Sequence, residues 1–159
     1  MKPLMPVLLA LTACAQAAIE SFNVTWNSPS RDSLDSMPLS GRLGAGANVW
    51  VQDGSIWLYL AHSGAYDEQG RLLKLGCVRL TPKDLELGET GFAQTLDPAT
   101  GTISITQGDF RASLWFAGET LVFESESATA MPLEVAFGTW REKTKEGIRN
   151  DMMGASSPL

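Results

Sequence analysis

Apolar residues recur at every second position through much of the chain, and turn-forming residues break the alternation at short intervals. Side chains on a strand point alternately to opposite faces, so a period of two predicts half-buried strands. The runs it picks out are Phe22 to Trp26, Ala47 to Gln52, Ser55 to Leu60, Cys77 to Leu80, Phe92 to Leu96, Thr102 to Gln107, Arg111 to Phe116, Thr120 to Ser125 and Leu133 to Trp140. No amphipathic helix of useful length interrupts them. Many short strands punctuated by Gly, Pro and Asp predict an all-β, antiparallel β-sandwich. Between the second and third runs stands Asp53-Gly54, a two-residue link that predicts a tight hairpin because Gly takes positive φ at no steric cost. Asp97-Pro98-Ala99-Thr100-Gly101 and Ala117-Gly118-Glu119 predict two more, so the middle of the chain reads as a meander.

Two stretches lack the alternation and read as long surface loops: Asn27 to Gly46, rich in Ser, Pro, Asp and Gly, and Ala61 to Gly76. Loops of this length usually carry a function or are disordered. The ends differ again in composition. MKPLMPVLLALTACAQA places one cation, Lys2, before an apolar run from Val7 to Leu11 and then small residues at Ala13, Ala15 and Ala17. That is the anatomy of a secretory signal peptide, with cleavage expected after Ala17. The apolar run is too short for a membrane span, which takes about 20 residues. Leu11-Thr12-Ala13-Cys14 also fits a lipoprotein signal, in which case Cys14 would carry lipid. The domain plan is therefore a signal peptide over 1–17, a sandwich over 18–140 and a polar tail over 141–159.

Charge and cysteine usage narrow the function classes. Losing Lys2 with the leader leaves 11 cations against 18 acids, a net charge of −7 in place of −6. An acidic surface without a Lys/Arg cluster argues against a nucleic-acid partner. Cys77 would be the only cysteine of the mature chain, expected as a buried small hydrophobe. His62 is the sole histidine and has no Cys beside it, so no structural zinc and no cofactor are expected.

The segment SMPLSGRLGAGANVWVQDGSIWLYLAHSGAYDEQGRLLKLGCVRL, Ser36 to Leu80, resembles the N-terminal domain of the domain-of-unknown-function 5703 family. Trp26-Asn27-Ser28, Met37-Pro38-Leu39, Asn48-Val49-Trp50-Val51 and Leu72-Leu73-Lys74-Leu75-Gly76 carry the likeness in that order, and it runs from about Phe22 to Trp140. Those domains look like the N-terminal β-sandwiches of family 95 glycoside hydrolases, the α-L-fucosidase group. The resemblance implies the front part of a supersandwich, incomplete here, in a secreted protein whose hydrolytic carboxylates lie in a downstream (α/α) barrel. The expected partners are carbohydrate or that catalytic domain. A free-standing carbohydrate-binding or interaction domain, and a non-functional gene fragment, are the alternatives.

Glycoside hydrolysis needs two carboxyl groups about 5 to 9.5 Å apart in environments that push their pKa values apart. Asp32 with Asp35, and Asp67 with Glu68, are the loop pairs to consider, and acids in polar loops are more often solvated or turn-capping, so no catalytic residue is expected. Arg42, in the Gly41-Arg42-Leu43-Gly44 turn, and His62, Tyr66 and Asp67 in the second long loop are candidates for contacting a ligand or a docked domain. Exposed turn cations and loop histidines bonded to a neighbour are the plainer readings of the first two. Trp50, Trp57, Trp115 and Trp140 could stack on sugars, but each lies in a strand pattern, where a large aromatic is expected in the core. Trp26 is placed nearer a loop. Asn23-Val24-Thr25 is an N-glycosylation sequon.

Overall fold

The computed structural model describes residues 22–139. Ten strands form in chain order: β1 (Val24–Trp26), β2 (Met37–Ser40), β3 (Ala45–Gln52), β4 (Ser55–His62), β5 (Gly76–Pro82), β6 (Phe92–Asp97), β7 (Thr102–Gln107), β8 (Phe110–Ala117), β9 (Thr120–Glu126) and β10 (Leu133–Gly138). A single 3₁₀ turn, Arg42–Gly44, separates β2 from β3. The strands divide into two five-stranded antiparallel sheets, sheet A in the order β1-β6-β7-β8-β9 and sheet B in the order β10-β5-β4-β3-β2. Each sheet is a four-strand meander extended by one strand from the other end of the described chain: β1 pairs with β6, and β10 returns beside β5. The all-β, antiparallel two-sheet architecture is the one the alternation predicts.

Most strand positions follow the expected runs, with one strand in a stretch read as loop. Met37–Ser40 pairs with residues 46–49 of β3, from Ser40↔Gly46 to Met37↔Val49. Its four residues are too few to show a period clearly, and Pro38 argues against a strand. Pro is tolerated there because β2 is an edge of sheet B. Met37 and Leu39 point inward and are buried, while Pro38 and Ser40 face solvent.

The core fills the space between the sheets with every second residue: Met37 and Leu39, Ala47, Val49 and Val51, Ile56 and Leu58 from sheet B, against Phe92, Ile103, Ile105, Phe110, Ala112 and Leu114 from sheet A. Gln94 lies among them at 0% exposure. Its Nε2 donates to the Val49 carbonyl across the sheets at 3.2 Å, and its Oε1 has no partner among the described residues. The crossover from β5 to β6 is pinned to sheet A by the Gln107 amide. Its Oε1 accepts from the Gly88 N–H at 2.8 Å and its Nε2 donates to the Glu86 carbonyl at 3.0 Å.

Candidate functional site

The four residues singled out from the sequence fall in two places. Arg42 and His62 both meet the tip of the β8–β9 hairpin. The Arg42 N–H donates to the Gly118 carbonyl at 2.8 Å, and Gly41 is packed so closely that a Cβ there would lie 2.7 Å from the same oxygen. His62 closes β4 with its Nε2 3.6 Å from Glu119 Oε1, while its Nδ1 accepts the Gly64 N–H at 3.0 Å. Accepting at Nδ1 leaves the ring proton on Nε2, facing the Glu119 carboxylate. These contacts join sheet B to sheet A at one end of the sandwich.

Tyr66 and Asp67 belong to a separate small turn. Tyr66 bridges to Leu72 and is 56% exposed. Asp67 organises the turn through its carboxylate: Oδ1 accepts the N–H groups of Gln69 and Arg71, each at 2.9 Å, and Oδ2 accepts Arg71 Nε at 2.8 Å. The Arg71 backbone N–H, foremost among these contacts, holds this carboxyl below the ordinary carboxylate range. A general acid needs the opposite shift. Asp32 likewise caps its own turn, with Oδ1 accepting the Leu34 N–H at 2.8 Å. Asn23 is exposed just before β1, and the Thr25 hydroxyl of its sequon bonds the Thr95 hydroxyl at 2.9 Å. Among the described residues no group of His, Cys, Asp and Glu is placed to hold a metal ion.

Trp50 is buried, as its size predicts, but on the outward face of its sheet, while Trp57 and Trp115 are half-buried. Val49 and Val51 face inward, so Trp50 between them faces outward; Leu114 and the inward-packed Phe116 turn Trp115 out in the same way. Residue parity in the sequence carries the facing of both. Trp50 and its cross-strand neighbour Trp57 stack with centroids 6.0 Å apart, and Tyr59 meets Trp50 edge-on at 4.6 Å. The Arg79 guanidinium lies 5.4 Å from the Trp57 ring centre. Gln52 anchors both indoles: its Oε1 accepts from Trp50 Nε1 at 3.0 Å and its backbone carbonyl from Trp57 Nε1 at 3.2 Å. The cluster packs tightly enough that Trp50 is only 2% exposed although it is outside the inter-sheet core. Beside Tyr59 opens a hollow of about 510 Å³ lined by Pro38, Ser40, Asn48, Ala61 and Leu72. Trp26, placed nearer a loop by the sequence, is in β1 and packs against the core. Trp140 lies outside the described residues.

The outward face of sheet A has a different chemistry. Register places Thr25, Thr95, Ser104, Ser113 and Glu124 in one row across all five strands. A parallel row holds Ala93, Thr106, Arg111 and Glu126, and another Asp97, Thr102, Trp115 and Val122. Small hydroxyl side chains sunk between longer ones leave a hollow of about 630 Å³ over β7, β8 and β9, lined by Ser104, Thr106, Arg111, Ser113, Glu124 and Glu126. Arg111 Nε is 3.9 Å from Glu126 Oε1, a loose and exposed pair.

A family model described as a domain of unknown function (DUF5703) matches residues 25–157. No curated protein and no solved structure matches the chain.

Proposed function

The chain belongs to the domain-of-unknown-function 5703 family, in the N-terminal domain of its members, and from that premise we propose that it is a non-catalytic β-sandwich module of a secreted, glycoside hydrolase-like protein, one that holds carbohydrate without cleaving it. The observation that carries this reading is the outward face of sheet A, where a hollow of about 630 Å³ combines hydroxyl, carboxylate and guanidinium groups with Trp115 in the adjoining row. Sugars present hydroxyls that donate and accept, which the hydroxyl, carboxylate and guanidinium groups of this lining can meet, and their apolar C–H faces suit an indole such as that of Trp115, which stands beside the hollow rather than in its lining. The acids in the loops favour binding over hydrolysis, since Asp67 and Asp32 are engaged in holding their own turns. Secretion rests on the leader-like residues 1–17, which lie outside the described residues. The resemblance to family 95 sandwiches, an expectation from the sequence alone, suggests the substrate class, with a catalytic domain as the second expected partner.

Titrating the purified chain with a glycan panel while assaying aryl-glycoside hydrolysis tests the proposal. Saturable glycan binding with no turnover is expected. Turnover that survives purification and disappears in Asp67→Asn or Glu68→Gln, or the absence of binding to every glycan, overturns it.

A further inference from the structure

We infer that the ligand of the sheet A hollow is a neutral oligosaccharide lying across the strands, with Glu124 as the residue that selects it; this rests on the carbohydrate-binding reading above. The direction comes from the register. The central row, Thr25-Thr95-Ser104-Ser113-Glu124, crosses five strands, a span of roughly 19 Å at the usual inter-strand spacing. Thr25 and Thr95 satisfy one another through their hydroxyls. The open part of the row is therefore its β7–β9 end, where the hollow lies. That open part covers two inter-strand spacings, roughly 10 Å, and an oligosaccharide laid across the strands follows it.

The class of ligand follows from the donors and acceptors present. Ser104, Thr106 and Ser113 are half-buried, and each hydroxyl can donate and accept. Glu124 and Glu126 only accept, and Arg111 only donates. A chain of vicinal hydroxyls satisfies all three kinds of group. Arg111 is the one cation in the lining against two carboxylates, and it already leans toward Glu126. The local field, in a chain of net charge −6, therefore opposes uronates and sulfated sugars. Among the described residues Glu124 has no ion-pair partner, and it stands directly across from Ser113. Its carboxylate is the acceptor positioned for two adjacent hydroxyls. Trp115 sits across from Val122 in the adjoining row and offers an indole to the C–H face of a ring.

Titration calorimetry of the full chain with neutral oligosaccharides of increasing length, and with polyuronate and sulfated glycans, tests this. Affinity is expected to rise with length on the neutral series. Glu124→Ala should weaken it about tenfold, the effect of losing one charge-assisted hydrogen bond. Ser113→Trp, which fills the floor, should abolish it. The exposed position of Glu124 keeps the first variant informative if the second misfolds, and thermal unfolding reports which have folded. Preference for anionic glycans, or neutral binding unaffected by a folded Glu124→Ala, overturns the inference and leaves the carbohydrate-binding reading standing. Failure of the parent chain to bind any glycan removes both.

Discussion

Asp53 and Gly54 close the β3–β4 hairpin with φ of 49° and 72°, the pair of positive values that a type I′ turn requires. Gly54 is also covered: it bridges to Leu87 on the crossover, and a Cβ would lie 3.3 Å from Glu86 Cγ. Gly54→Val therefore combines backbone strain with a contact the crossover must yield to, and should lower stability by about 1–2 kcal/mol or more, read as a fall of several degrees in Tm. An unchanged Tm would show that the turn relaxes to another type. Gln94 is the other residue where the fold makes a sharp demand. Gln94→Leu gives up the bond to Val49 but removes an Oε1 with no partner among the described residues, so it should stay within about 1 kcal/mol of the parent. Gln94→Glu puts a carboxylate in the same place and should cost at least about 3 kcal/mol at neutral pH. Urea denaturation of both variants measures the contrast, and equal losses would mean that Oε1 is satisfied. The Asp-Gly turn was legible in the sequence because its two residues suffice. Gln94 was not, since a polar residue in a period-two run gives no sign that its face is buried. The burial of Trp50 was legible from its size, whereas the face it packs on follows from its parity between Val49 and Val51, and the half-exposure of Trp115 from the same alternation.

Strands long enough to show the alternation were readable; β2 was not, and what limits it is its length and Pro38 rather than any weakness of pairing. At the other edge of sheet B, β10 is held by charges on its outward face. Glu134 pairs with Lys83 and lies 3.9 Å from Arg79. The Lys83 hydrogen bond chiefly holds the Glu134 carboxyl below its ordinary range. A carboxyl lowered on folding contributes stability that is present above the unfolded carboxylate pKa and is lost as pH falls through the folded one. Asp67 and Asp97 are shifted in the same direction, the latter mainly by its Thr100 hydrogen bond. The denaturation midpoint should be flat above about pH 5 and fall below about pH 4. Glu134→Gln should make that fall shallower, and an identical profile would remove the pair from the account. The inward face of β10 is less well covered. Val135 and Phe137 lie opposite Leu80 and Val78, yet remain 64% and 66% exposed. An apolar edge strand invites pairing with another copy. Concentration-dependent association by sedimentation velocity is expected, and Phe137→Lys should abolish it; a parent chain that stays monomeric throughout would mean the edge is covered.

For the whole molecule, the two-sheet architecture followed from local patterns, whereas the pairing of β1 with β6 and of β10 with β5 joins segments distant in sequence and has no local signature. The candidate site was illegible for a different reason: the meander was readable, but the register that sets Ser104, Ser113 and Glu124 side by side was not, while Arg42, His62 and Asp67, which stand out singly in the sequence, make contacts that fasten turns and sheet ends together. One global property links the ends of the chain to its centre. The proposed cleavage after Ala17 would remove Cys14 and leave Cys77 alone. Cys77 is on the outward face of sheet B beside Tyr59 but is buried, and that burial pushes its thiol above the ordinary value. Only the thiolate reacts rapidly, so native protein should be nearly inert to a thiol reagent. Unfolding in denaturant should release one reactive thiol per chain, with an intact mass beginning at Ala18. Two thiols and a retained Met1 would show that the leader stays attached, and a lipid-modified Cys14 at the new N-terminus would assign the chain to a membrane surface. Fast reaction of the native protein would instead place Cys77 within reach of solvent, through an opening of the β4–β5 face that the packing around Tyr59 is expected to prevent.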